Sequence, residues 1–372
     1  MLYLDNSATT QIHPEVKDAM LPYLMEEYGN PSSKYYAPAE NAKRAVKEAR
    51  NALASLIGCK ENEVVFTSGS TESNNMIIKG VADHYSEKGN HIITTKVEHP
   101  SVLETCQYLE TKGYDVTYLD VDRFGRIDIL DLQKQITEKT ILVSVIWGNN
   151  ELGSLNDMDA ISNICLENNV FLHTDATQVV SKIEMDLFNY PGITFLSCSA
   201  HKFHGPKGIG AAFIKNDEYQ LPTKITPLLH GGGQENGIRS GTLAVHNIIG
   251  LGKASEIANK NLAENINKLE ELEGHLIRLL KEKFNDQILI NSDDKAKIPG
   301  IVSVQFKGVN NELLVKNLAP IIAASTGSAC SSSKPSHVLA AVGLSIDEVR
   351  STIRFSLSCF IKKEDLDIFK EL

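Results

Sequence analysis

The chain has 372 residues, of which 42% are hydrophobic and 23% are charged, the composition of a globular protein of about two or three domains. Its 37 Lys and Arg against 47 Asp and Glu give a net formal charge of −10, which argues against direct binding of nucleic acid or anionic membranes. The six cysteines form no CxxC pair, which excludes a disulfide framework and a zinc ribbon. No targeting segment and no run of about 20 apolar residues occurs, so we expect a cytoplasmic protein.

Short β-rich runs alternate with segments of helical spacing through the middle of the chain. The predicted buried strands are 63–67, 91–95, 141–145 and 170–174, and predicted helices cover 101–112 and 158–168. This alternation indicates an α/β fold with a mostly parallel central sheet flanked by helices.

The C-terminal third has a different pattern. A mostly helical stretch from 245 to about 284, with a breaker-like Gly274, precedes a strand at 300–306, a helix near 311–318 and a strand near 353–355. We therefore predict a large α/β domain over 1–255, which includes the N-terminal segment, and a smaller C-terminal α+β domain over 256–372.

The first polar cluster follows the strand predicted at 63–67. There a Gly/Ser/Thr turn leads into a helix, so that backbone N–H groups and the hydroxyls of Ser70 and Thr71 could hold a phosphate group. Taken alone, these residues could equally be helix caps.

Three further clusters follow predicted strands or lie in loops, at the sheet edge where an open α/β sheet binds its ligand. Asp175 comes directly after an apolar strand and would, in isolation, be read as a helix cap. Lys202 stands between a strand and a Gly/Pro-rich loop, where a Schiff-base amine avoids the cost of burying an ammonium. Cys330 lies among Ser, Gly and Ala rather than among the apolar neighbours of a structural cysteine.

Together these clusters supply what pyridoxal phosphate requires. They offer a phosphate-binding turn, an Asp for the pyridine nitrogen, a Lys for the aldehyde, and His99 to stack on the ring. The histidines do not occur at metal-ligand spacing, so we expect no metal site.

The chain resembles the NifS/IscS-type cysteine desulfurases, a group of the class V, fold-type I enzymes that depend on pyridoxal phosphate. The resemblance runs over essentially the whole chain, from the motif at 3–10 to the final helix. Its strongest matches are Glu98-His99, Asn149 to Gly153, Asp175 to Gln178, His201-Lys202, His230 to Glu235, Arg239 to Thr242, Gly327 to Cys330 and Ile353 to Ser356.

The resemblance implies a role for each matching position. Lys202 would hold the cofactor covalently, Asp175 would stabilise the protonated ring nitrogen, and Gln178 would bind the ring's phenolic oxygen. His99 would stack on the ring and take part in proton transfer. The implied phosphate ligands are Ser70, Thr71, Ser199 and His201, together with Thr242 from a second subunit, so the resemblance also implies a homodimer.

For the substrate, the resemblance implies L-cysteine. Arg354 and Asn150 would hold its carboxylate, Asn150 also lying beside the cofactor. Cys330 would attack the substrate sulfur, keep it as a persulfide and pass it to an acceptor protein, while alanine leaves.

Related reactions remain open on the residues alone. A selenocysteine lyase can work without an essential thiol, and a class V aminotransferase needs none, so Cys330 favours the desulfurase. The acceptor could be an iron–sulfur scaffold, a tRNA-thiolating enzyme or a DNA phosphorothioation system. The short segment from Cys330 to Pro335 and the end of the chain at Leu372 lead us to expect a specialised recipient rather than a general scaffold.

Overall fold

The computed structural model describes residues 1–327 and 335–371. The strands are β1 (Leu2–Tyr3), β2 (Val64–Thr67), β3 (His91–Thr95), β4 (Asp115–Leu119), β5 (Thr140–Ser144), β6 (Phe171–Asp175), β7 (Ile193–Ser199), β8 (Gly210–Ile214), β9 (Ile288–Ile290), β10 (Ile301–Phe306), β11 (Ile322–Ala323) and β12 (Thr352–Ser356). The α-helices are α1 (Pro14–Met25), α2 (Ala37–Ile57), α3 (Ser70–His84), α4 (Pro100–Glu110), α5 (Ile129–Gln135), α6 (Met158–Glu167), α7 (Val245–Lys260), α8 (Leu262–Phe284), α9 (Asn311–Leu318), α10 (His337–Ala341) and α11 (Ile346–Val349).

A seven-stranded sheet in the order β2-β8-β7-β6-β5-β3-β4 forms the centre of the fold. The neighbours from β7 through to β4 pair in parallel, whereas β8 runs antiparallel to both β7 and β2. The predicted α/β class with a mostly parallel sheet is therefore confirmed. Because β6 and β7 are adjacent and parallel, their carboxyl ends bring Asp175 and Ser199 to the same edge of the sheet.

The central strands are buried on both faces, which explains why they appear in the sequence as short continuous apolar runs.

One local prediction, a helix break at Gly274, is wrong. Gly274 does not interrupt the long helical stretch but lies inside α8, where a Cβ would meet no atom of residues 1–327 and 335–371 within 4 Å. The break falls instead at Asn261, between α7 and α8.

A smaller antiparallel sheet, in the order β12-β10-β9, lies in the C-terminal part of the chain. The apolar side chains of α7 join the core around the large sheet, whereas those of α8 pack with the small sheet. The N-terminus returns to this second core, because β1 pairs with β11 and Leu4 is buried there. The division into domains 1–255 and 256–372 stays a prediction.

No helix among residues 1–327 and 335–371 is both long enough and apolar enough to cross a membrane. Within the same residues, no three His, Cys, Asp or Glu side chains are grouped so that they could hold a metal ion.

Candidate active site

A cavity of about 900 Å³ opens where the carboxyl ends of the central strands meet the C-terminal part of the chain. The predicted site residues that line it are Ser70, Thr71, His99, Asn150, Asp175, Gln178, Ser199, His201, Lys202 and Arg354. Thr242 is exposed and does not line the cavity. Cys330 lies outside the described residues.

The turn between β2 and α3 forms one end of the cavity. Gly69 precedes α3 with a φ of 153°, a conformation that favours glycine, and no side chain of the described residues caps the helix. The first N–H groups of α3 are therefore open to an anion, beside the Ser70 hydroxyl, which accepts a bond from Thr177 Oγ1 at 2.6 Å. Gly210 lets this turn approach the sheet, because a Cβ there would lie 2.6 Å from the Cα of Gly69.

Asp175 lies at the end of β6 with only 3% of its surface exposed. Its carboxylate accepts bonds from Asn74 Nδ2 at 2.8 Å and from the Thr177 N–H at 3.0 Å. Both donors are neutral, and Asp175 forms no ion pair with any described residue. A buried carboxylate in this setting is suited to a cationic partner inside the cavity.

The same network extends to His99. Asn74 Nδ2 also donates to Ser101 Oγ at 2.8 Å, and Ser101 Oγ lies 2.8 Å from His99 Nδ1. Because the Ser101 N–H donates to Nδ1, the proton of the neutral ring is on Nε2. Burial lowers the pKa of His99, and the positive charge of Lys202 acts in the same direction. His99 is therefore neutral near pH 7 and linked through hydrogen bonds to Asp175.

Lys202 lies just beyond β7, in a short 3-10 turn at Ala200–Lys202. Its Nζ donates to the carbonyl oxygens of Ser7 at 2.6 Å and Ala8 at 2.8 Å. The neighbouring His201 is fixed by the same N-terminal segment, since its carbonyl oxygen accepts from the Thr10 N–H at 2.9 Å. Burial, reinforced by the charge of Lys202, lowers the pKa of His201 to about 4, so this ring is a neutral polar group.

Arg354 on β12 closes the opposite side of the cavity and is only 1% exposed. Its Nη2 pairs with Asp5 Oδ1 at 2.7 Å, and its Nη1 donates to the carbonyl oxygen of Asn150 at 2.9 Å. The buried Nε has no hydrogen-bond partner among the described residues. An anion arriving in the cavity would thus find a fixed guanidinium that still has N–H donors to offer, the Nε–H among them.

Sequence reasoning missed the residues that orient the site. Asn74 and Ser101 connect Asp175 to His99, and the segment at 5–10 contacts Arg354, Lys202 and Gln178. The sequence does carry a signal for the N-terminal segment, because residues 3–10 are part of the family resemblance. Asn74 carried a weaker signal, as part of the polar run after β2.

These residues suit pyridoxal phosphate. Asp175 offers a buried negative charge for a protonated ring nitrogen, the start of α3 offers N–H groups for a phosphate, and Lys202 offers a primary amine in the same cavity. The volume leaves room for an amino acid beside the cofactor.

Several cysteines are chemically inert. Cys106, Cys165 and Cys198 are buried, and burial raises the pKa of each thiol to about 12. A thiol with such a pKa is almost wholly protonated at neutral pH, so none of these three is a nucleophile. They pack as small apolar side chains.

Comparison with known proteins agrees with this site. The class-V aminotransferase family matches residues 2–369. The chain is 45% identical to the cysteine desulfurase IscS of Dictyoglomus turgidum, over 98% of this chain and 92% of that protein. Among solved structures, a NifS-like protein has a TM-score of 0.92 and 35% identity, covering 100% of this chain and 97% of that one. A structure of SspA in complex with cysteine has a TM-score of 0.84 and 36% identity, covering 96% and 99%. This chain therefore belongs to the class-V aminotransferase family, among the cysteine desulfurases of the NifS/IscS type.

Proposed function

We propose that the protein is a pyridoxal-phosphate-dependent L-cysteine desulfurase, which converts L-cysteine to L-alanine and carries the sulfur as a persulfide on Cys330. The observation that carries the proposal is that Lys202, Asp175 and Arg354 line one cavity, although they come from separate parts of the chain. This set offers an amine, a buried carboxylate and a guanidinium, the groups that a cofactor-bound amino acid needs.

When bound, pyridoxal phosphate supplies an electron sink for the bonds around the substrate's α-carbon. Asp175 holds a positive charge on the ring nitrogen, and Asn74 and the Thr177 N–H keep the carboxylate in place. The first turn of α3 binds the phosphate together with the nearby hydroxyls. Lys202 anchors the cofactor and moves protons at its Nζ.

Arg354 binds the substrate carboxylate, and its partners Asp5 and the Asn150 carbonyl keep the guanidinium from turning away. His99 presents a neutral imidazole with its proton on Nε2, because Ser101 occupies Nδ1. It can therefore donate a hydrogen bond beside the ring without adding charge to the cavity.

The sulfur step is assigned to Cys330 on the sequence, since this residue lies outside the described part of the structure. Its thiolate attacks the substrate sulfur and forms an S–S bond, while the electron pair of the broken C–S bond stays with the carbon, which later takes up a proton. A free cysteine has a pKa near ~8.5, so thiolate formation requires that its proton be taken up within the site.

A homodimer is part of the proposal. Thr242 is exposed, and the loop at 226–243 also exposes Leu229 at 41%, as expected of a segment that covers a partner subunit. The loop is held to its own chain by the Arg239–Glu72 ion pair at 2.7 Å, so its exposed side is presented in a defined orientation.

Mixing a Lys202→Ala chain with a Thr242→Ala chain should restore one intact site per heterodimer. Sedimentation would detect the dimer, and activity measurements would detect the restored site. An active monomer would contradict this part of the proposal.

We also propose that a protein in the cytoplasm accepts the sulfur from Cys330. The relatives named IscS and the structure of SspA with cysteine support the substrate and the chemistry. The candidates for the acceptor remain an iron–sulfur scaffold, a tRNA-thiolating enzyme and a DNA phosphorothioation system. Affinity capture from the native cell, with an S-alkylated protein as control, should recover one of them in a thiol-dependent way.

The activity is tested by incubating the purified, cofactor-loaded protein with L-cysteine and a reductant. Alanine and sulfide should form in equal amounts, and Cys330→Ala should abolish both, whereas Cys59→Ala, a half-buried thiol outside the cavity, should not. Release of both products by Cys330→Ala at the wild-type rate would contradict the nucleophile assignment. A keto acid product would indicate an aminotransferase, and a rate on selenocysteine far above that on cysteine would indicate a selenocysteine lyase.

A further inference from the structure

Lys182 lies behind the active-site cavity, in a position that the proposed chemistry does not use. It follows Ser181, a non-glycine residue with a φ of 70°, in the turn after β6. A positive φ is costly for any residue other than glycine, and it persists only where the surrounding structure imposes it. Lys182 faces a second cavity of about 290 Å³, and Lys202 lines both this cavity and the first.

Two hydrogen bonds connect Lys182 to the active site. Its Nζ donates to Gln178 Oε1 at 2.9 Å, and Gln178 Nε2 donates to the Ser7 carbonyl oxygen at 2.9 Å. A backbone carbonyl oxygen can only accept, so the contact with Ser7 fixes the orientation of the amide, and the Lys182 Nζ donates to Oε1 in that same orientation. The Gln178 NH2 group therefore has one hydrogen engaged by Ser7 and a second that remains for a ligand in the cavity.

We propose that Lys182 is a positioning residue, which fixes the Gln178 amide so that its NH2 group donates to the phenolic oxygen of the bound cofactor. Without Lys182, the amide could turn and present Oε1 to an oxygen that also carries negative charge. The inference rests on the proposed cofactor, and it assigns to Lys182 a role that involves no contact with the reacting atoms.

The charge of Lys182 has a second consequence. The cationic groups that act on it are Lys202 and Arg354, and burial together with these two lowers the pKa of Lys182 to about 7. The second cavity also places His13, His204, Lys268 and Glu264 around the same space. Like charges repel, so a protonated Lys182 disfavours a positive charge at Lys202 and at the cofactor group attached to it.

The test compares Lys182→Met, which removes donor and charge, with Lys182→Gln, which keeps a donor but removes the charge. Lys281→Gln, at an exposed position on α8, is the matched control. Two readouts besides turnover are used: the dissociation constant of pyridoxal phosphate from the protein, and the pH midpoint at which the visible absorption of the bound cofactor changes. Thermal unfolding of each cofactor-free variant checks that it folds.

Lys182→Met should weaken cofactor binding about fivefold, the effect of one lost hydrogen bond, and raise the absorption midpoint by about 1 pH unit. Lys182→Gln should raise the midpoint similarly but bind the cofactor more tightly than the Met variant does. The inference is overturned if a folded Met variant matches wild type in both readouts, or if the Met and Gln variants lose equal affinity. Failure of the wild-type protein to show any visible band with pyridoxal phosphate would refute the proposed function itself.

Discussion

Replacing His173 with Gln should reduce the sensitivity of the fold to acid. His173 is completely buried in β6, two residues before Asp175, with Nδ1 2.8 Å from Ser144 Oγ and Nε2 3.0 Å from Ser197 Oγ. Burial lowers its pKa to about 4 from the ordinary 6.5, although the charge of Asp175 acts in the opposite direction. The folded protein therefore holds this ring neutral where the unfolded chain would protonate it.

The sign and size of the effect follow from linkage. A depressed pKa in the folded state contributes stability above the unfolded value, and this stability is lost as the pH falls from 6.5 towards 4. The unfolding free energy should therefore fall by about 1 kcal/mol between pH ~7 and pH ~5.5 through His173 alone. No correction for solvent screening applies, because the side chain is 0% exposed.

The assay is urea unfolding of wild type and His173→Gln at these two pH values. Gln keeps a polar end group for this buried site but does not titrate, so the variant should lose about 1 kcal/mol less than wild type on acidification. Other histidines contribute equally to both proteins and cancel in this comparison. His84→Gln, at an exposed position, controls for the loss of an imidazole. Identical losses in wild type and His173→Gln would refute the reasoning.

Three further substitutions test other parts of the site. Burial raises the pKa of Glu98 to about 8, so the unfolding free energy falls as the pH rises from 4.5 to 8. In urea unfolding at pH ~8, Glu98→Gln should therefore be more stable than wild type by about 2–4 kcal/mol. A variant that is less stable than wild type at every pH would contradict this. Gly210→Ala should lower the unfolding free energy by about 1–3 kcal/mol. The reason is that the new Cβ would lie 2.5 Å from the Cys198 carbonyl oxygen and 2.6 Å from the Gly69 Cα. An unchanged thermal unfolding temperature would disprove the close packing. Asp175→Asn should lower kcat about 10²- to 10³-fold. The unfolding temperature of the cofactor-free protein should change little, because the groups that donate hydrogen bonds to Asp175 are neutral. A large fall in unfolding temperature together with the fall in kcat would point to a structural role.

The fold class and the chemically important groups of the cavity could be predicted without coordinates, although they are only part of its lining. Asp175 and Ser199 could be placed together because each ends an apolar run, and the carboxyl ends of adjacent parallel strands meet at one edge of the sheet. The setting of Lys202 indicates a Schiff-base amine from residue chemistry alone, whereas the nucleophilic role of Cys330 is implied by the family resemblance. The first inference depends on local pattern and residue chemistry, which the order of residues contains directly.

The groups that hold these residues in place become visible only in the folded chain. Asp5 pairs with Arg354 across 349 positions of sequence, and Lys202 donates to the backbone of Ser7. Nothing in local periodicity indicates such contacts, because they arise when the N-terminal segment packs between the two sheets. The role of Lys182 is equally invisible in the sequence, where it is an ordinary polar residue after a strand. Only the packing places its Nζ on the Gln178 amide, because the direction of a side chain depends on the fold around it.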